Sequence, residues 1–161
     1  MAINLIVEAR TRSPTTQTRM CNDIDNCQSI TIAAMAAATA RYCVDRYRPI
    51  HVRTDPSAIY NCHGLTFASR RTCISDDKSI SQILREDDYV PVQQSDVLPG
   101  DIVIYYERGY PEHSGIILTI DQKMHIPVLV CSKWGYLFEA VHHLTLGPFP
   151  IEDIRYYRVT R

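Results

Sequence analysis

The sequence predicts an α+β domain, with N-terminal helices packed on a C-terminal antiparallel β-sheet of about five strands. Three observations lead there. Apolar residues recur at helical spacing as far as Leu84, the second half is rich in β-branched and aromatic residues, and Leu98-Pro99-Gly100-Asp101 marks the change between them.

Residues 1–27 form a polar leader in which no element stands out. Ser29 suits a helix N-cap, with Ile30, Ala33, Ala34, Ala37 and Val44 near helical spacing up to about Tyr47 and Pro49 ending the run. The stretch HVRTDPSAIYN reads as an irregular connection turning at Asp55-Pro56. Cys62 then falls at the start of a helix carrying Leu65, Ala68 and Thr72, and Ile80, Ile83 and Leu84 share a face of a short helix from Ser79 to Glu86. Tyr89 to Val92 is extended. In the turn that follows, Pro99 fixes one φ and Gly100 supplies a positive one, as type II geometry requires. Strands are expected at Ile102–Tyr106, Ser114–Ile120, Val128–Ser132, Leu137–His142 and Ile154–Val159.

A chain of 161 residues, 45% hydrophobic and 22% charged, fits one domain spanning 1–161 with a packed core. Its 17 Lys and Arg against 18 Asp and Glu leave a formal charge of −1, too little basic field to hold a nucleic-acid backbone. The apolar start is broken by Glu8 and Arg10 and fails as a signal peptide, and the longest apolar run, Ile30 to Ala40, is too short to span a membrane. The expectation is a cytoplasmic protein, or one exported without a signal peptide. The six cysteines are scattered and expected mainly as reduced thiols, with Cys21–Cys27 the one bridge weighed. Neither CxxC nor HExxH spacing occurs, so no metal is expected.

The chemistry centres on YNCHGLTF and PEHSGIIL. A thiol at a helix start is favoured as thiolate by the unpaired N–H groups there, and Gly64 would leave room for an approaching substrate carbonyl. His113, read as opening a strand, has small neighbours in Ser114 and Gly115 and the near-neutral pKa of a general base. Tyr60 and Asn61 could each donate to an oxyanion or merely shape the turn, and Trp134 could wall a cleft or fill the core. Arg70 and Arg71 suit a helix C-terminus. The adjacent pair Cys62 and His63 is expected to point apart.

Taken in order, NCHGL, LPGDIVIYY and HSGII resemble the NlpC-type cysteine peptidases and their CHAP amidohydrolase relatives, of the papain-like superfamily. The likeness covers roughly residues 58 to 134. It implies a papain-like fold, Cys62 as nucleophile, His113 as base, no cofactor, and a peptide or peptidoglycan-fragment substrate, with a protein partner as a further possibility. Asn61 and His63 stand where Asp and Ser are common in that family. The third group, which orients the base, would lie in VLVCSKWG; strand alternation selects Ser132, with Glu139 and His142 on the next strand as competing acceptors, Lys133 as a substrate contact because a charged ammonium cannot accept, and any of the four as a solvent-facing residue. The expected activity is amide hydrolysis through a thioester. The rivals are a catalytically silent binding module and a thiol acyltransferase.

Overall fold

A computed structural model of the chain describes residues 14–29 and 33–160. The proposed cap at Ser29 bears on a helix start that lies outside the described residues. From Ala33 the helix α1 runs to Tyr47 and lays Ala40, Cys43 and Tyr47, at three- and four-residue spacing, against Trp134, Leu137, Phe138 and Ala140. Val44, expected on that face, is exposed instead.

The helix α2, Cys62–Phe67, is shorter than the apolar spacing suggested. Asn61 caps it, its side chain accepting from the Gly64 N–H at 2.9 Å. The helix stops because Ser69 and Arg70 both take left-handed conformations (φ 49° and 66°), and the amides of Ala68 and Arg70 both return to the Gly64 carbonyl. Thr72 therefore lies beyond the helix. The helix α3, Asp77–Glu86, is capped by Asp76 and buries Ile80 and Ile83 as predicted.

The sheet has seven strands, not five, in the order β1-β6-β5-β4-β3-β7-β2, with every pairing antiparallel. The strands are β1 (His51–Val52), β2 (Tyr89–Val92), β3 (Ile102–Glu107), β4 (Tyr110–Asp121), β5 (Ile126–Lys133), β6 (Glu139–His143) and β7 (Asp153–Val159). The two additions are the edges. β1 arises from the connection read as irregular, and β2 from the segment read as extended. The type II turn forms as expected, with Gly100 at φ 97° and the Asp101 amide reaching the Leu98 carbonyl at 3.1 Å.

β3 is buried on both faces, so it reads as a continuous apolar run. Ile102, Ile104 and Tyr106 meet α3, the end of α2 and Ile24 of the leader, while Val103 and Tyr105 meet Ile117, Val130 and Tyr156. The leader is thus not loose over residues 14–29. It packs on the core through Ile24 and on α3 through the Thr18 hydroxyl, which donates to Glu86 at 2.6 Å. A two-residue turn with Arg108 and Gly109 at positive φ starts β4 at Tyr110, and Pro111 is tolerated where the ladder slips between Tyr105 and Tyr106. His113 is therefore the fourth residue of β4, not its first.

Candidate active site

Cys62, at the first position of α2, shares a cleft of about 400 Å³ with His113, Trp134, Leu137, Phe149 and Glu112. The thiol is buried. That burial pushes its pKa up, but His63 and His113, by charge and by hydrogen bonding, more than offset it and hold the thiol well below the ordinary cysteine value. Two imidazoles supply this effect, the expected His113 and, beside it, His63.

His63 was not expected in this role. Burial pushes its imidazole down, yet the neighbouring Cys62 thiolate outweighs that and raises it, with help from the Pro111 carbonyl. Its Nδ1 lies 2.9 Å from the Ser114 hydroxyl, which in turn lies 2.9 Å from the Thr66 hydroxyl. Ser114 is small because α2 docks there. His63 was overlooked because adjacent residues usually diverge, and no spacing signal in the sequence singles it out.

His113 is held on the other face of β4, opposite Tyr105. Phe149 stacks on its ring at 4.2 Å with 6° between planes. Its Nε2 is buried and has no hydrogen-bond partner among the described residues. Ser132, expected to orient it, is committed elsewhere. Its hydroxyl lies 2.8 Å from His142 Nε2, while His142 Nδ1 lies 2.8 Å from the His143 carbonyl. A carbonyl only accepts, so Nδ1 carries the proton, Nε2 is bare, and Ser132 donates to it. Burial pushes His142 down to about 4 and keeps it neutral. Ser132 stands opposite Gly115 on the face that His113 also occupies, yet among the described residues no hydrogen bond joins it to His113 Nε2.

Several other expectations change. The Tyr60 hydroxyl donates to Glu139 at 2.7 Å and is pushed up to about 12 by burial and that carboxylate, so it is not an available oxyanion donor. Asn61 caps α2 and also lines the cleft beside Cys62, with its side chain engaged by the chain itself. Its oxygen accepts from Gly64 and Ile74, and its amide donates to the Ile74 carbonyl at 2.7 Å. Gly64 is required by the protein itself, since a Cβ there would meet the Thr72 carbonyl oxygen at 1.8 Å. Trp134 lines the cleft and also belongs to the core under α1. Arg70 does not serve the helix dipole but pairs with both oxygens of Glu139.

None of Ser132, Lys133, Glu139 and His142 faces solvent. The Lys133 ammonium donates to the carbonyls of Ser57, Gly135 and Leu137 at 2.7, 2.7 and 2.9 Å, so it braces the β5–β6 connection and is no substrate contact. Among the described residues no cluster could hold a metal ion, and no helix is long and apolar enough to cross a membrane. In comparisons with family models, with curated proteins and with solved structures, the chain matches none.

Proposed function

We propose that the protein is a cysteine hydrolase of papain-like type that cleaves an amide bond, with Cys62 as nucleophile and His113 as base. The observation that carries this reading is a thiol on the wall of an open cleft, held toward thiolate by two imidazoles. The likeness of NCHGL, LPGDIVIYY and HSGII to the NlpC-type and CHAP enzymes points the same way, and a peptide or peptidoglycan fragment is the substrate class it suggests.

In the first step the Cys62 sulfur attacks the scissile carbonyl carbon, and the His113 imidazolium gives its proton to the departing amine. In the second, His113 takes a proton from water, hydroxide adds to the thioester, and the acid leaves as the thiolate reforms. His63 stabilises the thiolate from the α2 side. Phe149 keeps the His113 ring in plane.

The test is iodoacetamide labelling followed by intact mass and peptide mapping between pH 5 and 9, with exposed Cys21 as internal reference. Buried Cys62 should label faster than Cys21 below pH 7, and His113→Ala should slow it by about tenfold or more. A Cys62 that labels no faster than Cys21 removes the enzyme reading and leaves the cleft as a binding surface.

A further inference from the structure

The leader and the loop after α2 meet through a pair of cysteines. Cys27 and Cys73 form an isolated antiparallel bridge, with the Cys27 amide on the Cys73 carbonyl at 3.1 Å and the Cys73 amide on the Cys27 carbonyl at 2.8 Å. Such a reciprocal pair sets the two Cα atoms about 5.5 Å apart with side chains on one face, within the range a disulfide spans. Both thiols are reduced and partly exposed. The contact is reinforced on either side. Gln28 donates to the Arg71 carbonyl at 2.6 Å, and the single hydrogen of the Thr72 hydroxyl is shared between Asn26 Oδ1 at 2.8 Å and the Cys27 carbonyl at 3.0 Å.

The position of Cys73 gives the pair its consequence. The residue before it, Thr72, rests its carbonyl against the Gly64 Cα, and the residue after it, Ile74, brackets the Asn61 side chain that caps α2. Whatever fixes Cys73 fixes the support of the helix that carries Cys62.

We propose that Cys27 and Cys73 are a redox-active dithiol that closes to a disulfide with small-molecule disulfides of the glutathione type, stapling the leader to the support of α2. One thiolate attacks oxidised glutathione and releases one glutathione thiolate, giving a mixed disulfide. The second thiolate attacks the protein sulfur of that mixed disulfide and releases the other glutathione. The protein loses two protons and two electrons, and the glutathione disulfide gains them as two thiols. Burial pushes the Cys73 thiol up to about 11, which assigns the first attack to Cys27 and makes closure faster as pH rises. The Cys21–Cys27 pairing weighed from sequence does not form, because Cys21 turns outward in a tight turn at φ 62° while Cys27 faces Cys73.

The experiment exposes the full chain to oxidised glutathione at pH 8 and reads intact mass, a non-reduced peptide map and the melting temperature. The expected result is a loss of two hydrogens, a crosslinked peptide containing Cys27 and Cys73, and a rise in Tm on the order of 5–10 °C that dithiothreitol reverses. Cys27→Ser and Cys73→Ser should each abolish the rise, and Cys21→Ser should keep it. No mass loss, a persistent glutathione adduct, a crosslink between other cysteines, or an unchanged or lowered Tm would each overturn the proposal. None of these readouts depends on catalysis, so the pair can fail without touching the hydrolase reading.

Discussion

Two buried polar clusters lie within a few strands of each other, and they are built on opposite principles. Around Lys133 and Glu139, which face each other across β5 and β6, the charges are saturated. The ammonium has its three carbonyls, and the carboxylate has Tyr60 and both ends of the Arg70 guanidinium. Around Cys62 the polar groups are not saturated: His113 Nε2 is buried and unpartnered among the described residues, and two imidazoles hold the thiol well below the ordinary cysteine value. Buried polar groups that are fully satisfied rigidify a fold, whereas those left unsatisfied lower its stability and are kept where chemistry needs them. The first cluster braces the β5–β6 connection; the second is where the proposed chemistry would take place.

This division places the largest stability change in the saturated cluster. Lys133→Met keeps most of the volume but leaves three buried carbonyls without their donor. The expected loss is about 3–5 kcal/mol, read from urea unfolding at pH 7. A neutral or stabilising effect would mean that the cluster is not what holds the β5–β6 connection, and the contrast would collapse.

His142 stands between the clusters and supplies the next effect. Its folded pKa, about 4, lies below the unfolded value near 6.5, so in that interval the unfolded chain binds a proton that the native protein does not. Stability from this group is complete above about pH 6.5 and is lost as pH falls toward 4, by about 3 kcal/mol in all. His63 has the opposite sign, since its raised pKa gives stability that fades as pH rises. Comparing wild type with His142→Gln separates the two, because only the slope between pH 6.5 and 4 should flatten in the variant. An unchanged slope would mean that His142 is not held neutral by burial.

The strands from Ile102 onward and the thiol at a helix start were legible because they rest on local periodicity and on a single turn signal at Pro99-Gly100. What escaped depends on distant partners. Lys133 and Glu139, alternating charges on strands, read as solvent-facing, yet their partners lie at Ser57, Tyr60 and Arg70. Opposite charges at matching positions of neighbouring strands were the one available hint. The edge strand β1 escaped because two residues carry no period, and His63 because its role follows from how α2 docks on Ser114.

The smallest effect sharpens the comparison most, because Tyr60 sits two residues from the thiol yet belongs to the saturated cluster. Tyr60→Phe removes a single donor from a carboxylate that keeps Arg70, with Arg53 at 3.8 Å. A hydrogen bond to a charged acceptor contributes about 1.5 kcal/mol, and this should be the whole stability cost. Hydrolysis of p-nitrophenyl acetate, which reports acyl transfer without a cognate substrate, should stay within about twofold of wild type, whereas loss of an oxyanion donor would cost about a hundredfold. A drop of that size with stability intact would move Tyr60 from the saturated cluster into the reacting one.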